Sequence, residues 1–528
     1  MLKKAQLRLG FFLFEICENS MQIKRIAIIG GGTAGWLAAN HLGVELSAQF
    51  GYEITLIESP NVPIIGVGEG TVPHIRATLA RFEISEAEFI DCCDVTFKQG
   101  IKFVNWLDSK KHGDENYYYH PFDPTYNDNE NWAPLWLNSG MQKSYADFVG
   151  IQEKACNDFL SPKLISSLPY QGPLNYAYHL NAVKFAKLLA KNAQERFGVI
   201  HKLANIECAT KGAEGEILSL LTSDGETLAF DFYVDCSGFH SILIDKELAV
   251  PLVDKSSQII TNAALAIQIP SENQPIPPFT IATAHKAGWI WDIALLNRRG
   301  VGFVYSDTHM SESEAISSFS SYLGVELEDM NPRRVPMRIG YRKKLWEKNC
   351  VALGLAQGFV EPLEATSILV TDYAAEYLAK GFPKTEDQIE NFSRRFNTTF
   401  TYVWERVIDF VQLHYFLSDR RDSQFWLDNT EGAQLSDELK QRLDIWKTQV
   451  PERQDFFSKF EVFDVDNYLY ILYGMKYPTR HPVTASDTDV YINQCINHKN
   501  QQFNTLKDKL PDHRVYLEKL KQHMARLV

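Results

Sequence analysis

Arg25-Ile26-Ala27-Ile28-Ile29-Gly30-Gly31-Gly32-Thr33-Ala34-Gly35-Trp36 is the stretch whose reading decides the fold of this 528-residue chain. A β-branched run stops at three consecutive glycines, a helical pattern follows through Leu46, and a second apolar run, Tyr52 to Ile57, ends on Glu58. A GxGxxG spacing alone is weak. Here Gly30, Gly32 and Gly35 follow a strand, open a helix and precede a strand ending in an acid, which is the context the motif requires. Such glycines, with Thr33 and Ala34 between them, let the backbone approach a pyrophosphate at a helix N-terminus, and Glu58 can accept hydrogen bonds from an adenosine ribose. The expectation is an α/β chain with a Rossmann-like dinucleotide unit.

Further along, Asn181 is a candidate cap for an amphipathic helix carrying Val183, Leu188, Leu189, Ala193 and Phe197. A hairpin is expected from Ile217 to Thr222, through an Asp224-Gly225 turn, to Thr227–Val234. It ends at Asp235-Cys236-Ser237-Gly238-Phe239, which resembles the second nucleotide-contacting segment of hydroxylase-type FAD enzymes and favours FAD over NAD. Asp235 and Gly238 are its candidate cofactor residues.

A second glycine-broken junction lies at 350–368. The strand Cys350 to Leu353 breaks at Gly354 and Gly358 and restarts as a helix from about Thr366 to Leu378. Unpaired amides at such a turn favour an anion. Glu361 and Glu364 sit at the same opening, and two carboxylates beside an anion turn are costly as mere packing. Lys98, in Thr96-Phe97-Lys98-Gln99-Gly100-Ile101-Lys102-Phe103, would on residue type alone be a solvated lysine. Residues 108–145 are long, irregular and aromatic, with Tyr117-Tyr118-Tyr119-His120-Pro121-Phe122, and read either as a substrate wall or as a loop pinned by its rings. Trp289 and Trp291 alternate on a strand, so both indoles fall on one face. Ile389, Phe392, Phe396, Phe400, Val403, Val407 and Phe410 recur at helical spacing and open a mostly helical C-terminal part.

The totals bound the partners. With 45% hydrophobic and 23% charged residues and a formal charge of -13, the chain reads as globular, without a basic face for nucleic acid or a polybasic membrane anchor. No stretch approaches a membrane span. The eight cysteines are scattered without a CxxC pair, which argues against zinc and for a reduced, cytoplasmic compartment. The expected division is 1–20 as an upstream extension before Met21, 21–385 as the cofactor and anion-site domain, and 386–528 as a helical cap.

Four of these segments occur in the order found in the flavin-dependent halogenases, the tryptophan halogenase-like family, which the chain resembles from about Ile23 to Tyr477. They are the GxGxxG turn, Phe97-Lys98, the Trp289/Trp291 strand and Gly358 to Ser367. The resemblance implies an FAD-binding, hydroxylase-type flavoprotein domain with a mixed sheet, working with FAD delivered as FADH2, O2 and chloride or bromide. It implies that hypohalous acid is made at the flavin and that Lys98 and Glu364 use it to halogenate an electron-rich, indole- or tryptophan-like aromatic. By analogy, the amides of Thr366 and Ser367 hold the halide, Gly354 contacts the cofactor, and Gly68, in Gly66-Val67-Gly68-Glu69-Gly70, belongs to a strap over the flavin. Trp289 and Trp291 are the flavin barrier, although Ala294 replaces the family's proline and Ala365 its usual serine. A separate flavin reductase is the implied partner, and a homodimer is one assembly the resemblance allows. His414-Tyr415-Phe416 also resembles a family segment but reads as packing and hydrogen bonding. The competing readings are a flavin-dependent aromatic monooxygenase, to which Lys98 is incidental, and a non-catalytic FAD-binding protein.

Overall fold

A computed structural model describes residues 21–46, 50–62, 69–141, 143–325, 332–480 and 487–524. The expected extension 1–20 and the strap residue Gly68 lie outside the described residues.

The quoted stretch builds the centre of a six-stranded sheet, ordered Ile200–Leu203, Glu53–Glu58, Arg25–Ile29, Phe232–Asp235, Cys350–Ala352, Trp346–Glu347. All neighbours are parallel except the last pair, so the sheet is mixed. Ile26 to Ile29 are buried because both sheet faces are covered, which explains a continuous apolar run rather than an alternating one. The helix Thr33–Glu45 lies against Ala182–Phe197 and Thr366–Lys380. A three-stranded sheet, Ile206–Lys211, Ile217–Thr222 and Thr227–Leu228, contributes Ile217 and Leu220 to a second cluster with Ala27, Ile29 and Ile57. The expected hairpin is therefore cut short. Its return strand stops at Leu228, and Phe232–Asp235 joins the parallel sheet, where its fully apolar Phe232, Tyr233 and Val234 are buried. Asn181 does cap the Ala182–Phe197 helix, accepting from the Lys184 amide.

A second, seven-stranded sheet runs Arg333–Pro336, Ala263–Pro270, Arg298–Tyr305, Gly288–Ala294, Thr280–His285, Gly100–Val104, Tyr118–Pro121. It is antiparallel except where Thr280–His285 meets Gly100–Val104. In a small separate sheet, Ala177–Leu180 lies between Glu69–Gly70 and Thr96–Lys98. The helical part begins with Ile389–Leu417, which buries Phe396, Phe400, Val403, Val407 and Phe410 and leaves Ile389 and Phe392 half-buried. One buried cluster runs from Ile23 to Leu517, so the C-terminal helices share the core of the sheets.

Candidate active site

A cleft of about 490 Å³ follows the C-terminal edge of the parallel sheet, where an open α/β sheet binds its ligand. Gly30, Gly31, Gly32, Thr33, Ala34, Glu58, Gly238 and Gly354 all line it. Gly30 has φ +117°, and a Cβ there would overlap the Cys236 carbonyl. Gly31, passed over by the motif, lets the Glu58 carboxyl lie against the turn, since a Cβ there would overlap it and displace it. Beside Gly32 nothing stands within 4 Å, so the space a side chain would fill is the cleft itself. Gly35 does not line the cleft; it packs on the Gly30 carbonyl and holds helix to strand. The helix has an extended Gly32 at its N-cap and no side-chain cap, leaving first-turn amides toward the cleft. Glu58 lies 2.8 Å from His201 Nε2, a partner absent from the sequence reading. These features fit a dinucleotide.

Asp235 needs a correction. Its carboxylate accepts from the Ser237 amide (3.0 Å) and hydroxyl (2.6 Å) and from the amides of Leu243 (2.8 Å) and Ile244 (2.9 Å), and it is absent from the cleft wall. It shapes the loop that presents Gly238 instead of facing the ligand.

A second chamber, about 190 Å³, adjoins the cleft and shares Glu69, Phe239, Leu355, Ser367 and Ile368 with it. Lys98 reaches into this chamber and is 1% exposed. Its Nζ lies 5.4 Å from the centroid of the Phe122 ring. Burial pushes the ammonium down to about 8, with the Glu364 charge working in the opposite direction. At the shared wall, desolvation pushes Glu69 up to about 7. Trp291 lines the chamber, accommodated by Gly302 on the neighbouring strand, where any side chain would overlap the indole. Trp289 does not line it; its Nε1 donates to Glu361 at 2.9 Å. The two tryptophans thus have different duties despite sharing a strand. Ala294 keeps the strand register, and its carbonyl accepts from the Thr96 hydroxyl at 2.7 Å.

The two carboxylates expected at one opening are separated. Glu361 is fully buried and accepts from Thr261, Trp289 and Tyr415, with no cation among its partners; burial pushes it up to about 7. Glu364 lies between two imidazoles. His120 Nδ1 is 3.0 Å from both carboxylate oxygens, and His414 Nε2 is 2.9 Å from one of them. Burial alone would raise Glu364, but the two histidines outweigh it and hold the group at about 2. His120 is braced by Asn467 at 3.0 Å and His414 by the Tyr118 hydroxyl at 2.6 Å. His414 thus has the polar partners expected of it, and one of them is Glu364. The aromatic segment lies behind the chamber and supplies His120 to Glu364 and Phe122 to Lys98, its edge strand Tyr118–Pro121 paired with Gly100–Val104. Lys98 and Glu364 form no ion pair among the described residues.

Ala365 adopts a left-handed φ of +56° and turns the chain into the helix Thr366–Lys380. Beside this turn a small cavity of about 10 Å³ is lined by Gly354, Gly358, Phe359, Val360, Thr366, Ser367, Thr371 and Trp404. That is near the lower limit for one water-sized occupant. The Thr366 hydroxyl, 1% exposed as a residue, has no partner among the described residues. Among those residues no helix is long and apolar enough to cross a membrane, and no group of three or more His, Cys, Asp or Glu is placed to hold a metal.

The tryptophan halogenase family model matches residues 25–489. The tryptophan 7-halogenase RebH of Lentzea aerocolonigenes is 32% identical over 520 residues, covering 93% of this chain and 96% of the relative. A crystal structure of a tryptophan halogenase from Shewanella frigidimarina NCIMB 400 superposes with a TM-score of 0.90 at 36% identity, covering 95% of this chain and 98% of that one. Xcc4156, a flavin-dependent halogenase from Xanthomonas campestris, gives 0.84 at 31% identity, covering 95% and 99%.

Proposed function

The chain belongs to the tryptophan halogenase family, and from that premise we propose how its own residues carry the reaction. It is a flavin-dependent halogenase. When bound, reduced FAD with O2 supplies the oxidation of halide to hypohalous acid; every other step belongs to the protein. The Gly30 to Gly35 turn holds the pyrophosphate on helix amides, Glu58 holds the ribose, and Gly238 and Gly354 let the backbone lie close to the cofactor. The amides of Thr366 and Ser367, with the unpartnered Thr366 hydroxyl, would receive the halide at the small cavity beside the turn, next to the cleft that Ser367 also lines.

The Lys98 chamber is walled mostly by hydrocarbon and aromatic groups, which exclude water from an oxidant that water would disperse. Lys98 donates a hydrogen bond to hypohalous acid or is converted to a haloamine, and in either form it sets the halogen against one carbon of the substrate. The substrate class is an electron-rich aromatic of the indole type. Glu364, kept ionised by His120 and His414, stabilises the ring cation or accepts its proton. Residues 386–528 act as the substrate-side cap, supplying His414 and Asn467, and a separate reductase delivers reduced flavin.

The observation that carries this reading is the placement of Lys98, a buried amine in the chamber that adjoins the nucleotide cleft and within electrostatic reach of Glu364. The test is mass spectrometry of products from purified protein with FAD, a reductase, NADH, O2 and either indole or tryptophan, run with bromide, chloride or no halide. A halogen isotope pattern is expected in the wild type and absent from Lys98→Ala. Halogenation surviving in Lys98→Ala overturns the role of the lysine, and a hydroxylated product without halide overturns the reading.

A further inference from the structure

Away from the wall it shares with the cleft, the Lys98 chamber has a polar group that the reaction above leaves unused. Thr280 lines it at the start of the strand Thr280–His285, and its Oγ1 is 2.8 Å from His179 Nε2. His179 is fully buried. Its neighbour on the other side is Thr96 Oγ1, 3.5 Å from Nδ1, and the Thr96 hydroxyl is committed as donor to the Ala294 carbonyl at 2.7 Å. Hydrogen counting fixes the direction of this chain. A hydroxyl has one hydrogen; that of Thr96 goes to Ala294, so Thr96 can only accept from His179. Nδ1 of a neutral imidazole then carries the proton, and Nε2 is a bare lone pair that takes the hydrogen of Thr280. Burial, with the Lys98 charge adding to it, holds His179 well below its ordinary value, in agreement with the neutral ring.

The consequence is a hydroxyl that offers the chamber lone pairs only. Lys98 is a pure donor in its ammonium form, so Lys98 and Thr280 give the chamber a donor and an acceptor of fixed sense, apart from Glu69 and Ser367 on the wall shared with the cleft. Gly70 lies against both Lys98 and His179, the residue that holds Thr280: a Cβ there would stand 3.2 Å from Lys98 Nζ and 3.6 Å from His179 Cδ2. Hypohalous acid needs such a pair, because its oxygen accepts one hydrogen bond and its hydrogen donates another.

We infer that Thr280 is the second anchor for hypohalous acid, accepting its O–H while Lys98 donates to its oxygen, and that His179 is a positioning residue acting through Thr280. This rests on the role proposed for Lys98, in its hydrogen-bonded form. With the oxygen held at two points, the halogen has one direction left, toward the aromatic ring. A ring carbon forms its bond to the halogen with a ring electron pair, and the O–X pair stays on oxygen. The hydroxide takes a proton from Lys98 and leaves as water, and the ring proton goes to Glu364. Arene and hypohalous acid become haloarene and water, and Glu364 gains the proton that Lys98 loses.

Retention of the oxidant tests this without knowledge of the natural substrate. Single turnovers of the FADH2-loaded holoenzyme with O2 and bromide, without organic substrate, are timed by the rate at which oxidant reaches external taurine and forms its haloamine. Thr280→Val is expected to release oxidant at least tenfold faster than wild type at an unchanged yield, with His179→Phe alike and Thr280→Ser close to wild type. FAD affinity from flavin fluorescence and the thermal midpoint separate this from misfolding, and Thr280→Ala serves if Thr280→Val does not fold. Wild-type release from folded Thr280→Val or Thr280→Ala, with fast release from Lys98→Met, overturns the Thr280 assignment alone. Wild-type release from Lys98→Met overturns the reading of Lys98 and this inference with it.

Discussion

Glu361 and Glu364 are three residues apart and equally hidden, yet their surroundings drive them in opposite directions. Glu361 meets neutral donors and is raised to about 7, whereas Glu364 meets two imidazoles and is lowered to about 2. A carboxyl raised in the folded state contributes its full stability below its ordinary value of 4.5 and loses it as pH rises through about 7. Removing that ionisation with Glu361→Gln is therefore expected to raise the thermal midpoint at pH 8 relative to wild type, by a stability gain of up to about 3 kcal/mol, and to be nearly neutral at pH 5. Equal shifts at both pH values in differential scanning calorimetry would dismiss this account. For Glu364→Gln the expected loss is in turnover, about 10²-fold in kcat, with FAD affinity retained. The sequence placed both acids beside an anion turn. It could not sort them, because the residues that do so, His120 and Thr261, lie 244 and 100 positions away.

At the scale of elements, close approaches of backbone decide what the cofactor cleft and the chamber can hold. Gly31→Ala must push the Glu58 carboxyl away from the first turn of the helix, and FAD affinity measured by fluorescence quenching is expected to fall tenfold or more. Gly32→Ala meets no protein atom, so any loss there reports the ligand directly. Gly302→Val displaces the Trp291 indole from the chamber wall, and the expected result is greater escape of oxidant with FAD binding unchanged. The turn at 30–35 was legible because glycine spacing encodes backbone geometry. Gly31 and Gly302 were not, since what a side chain would meet at each, the Glu58 carboxyl and the Trp291 indole, comes from a separate strand.

Across the whole molecule, the C-terminal helix His513–Met524 reaches back to the active site. His513 Nε2 accepts from the Phe97 amide at 2.9 Å, immediately before Lys98, and Nδ1 donates to the Ile276 carbonyl at 3.0 Å. Burial pushes this imidazole down from 6.5 to about 4. A histidine lowered in the folded state binds its proton first in the unfolded chain, so stability is complete above about 6.5 and falls as pH drops toward 4. The expected cost is about 3 kcal/mol across that window. His513→Gln should flatten the decline of thermal midpoint between pH 6.5 and 5, and an unchanged slope would count against it.

By itself the sequence determined the dinucleotide turn, the glycine-broken strand-to-helix junction at 354–367 and the order of segments that marks the family, because each is written in local backbone needs and short spacing. Only the tertiary structure decided that Asp235 serves its own loop, that Trp289 and Trp291 part company, and that His120 and His414 share Glu364. Burial and the identity of a hydrogen-bond partner depend on which distant strands and helices meet, and no local pattern records that meeting.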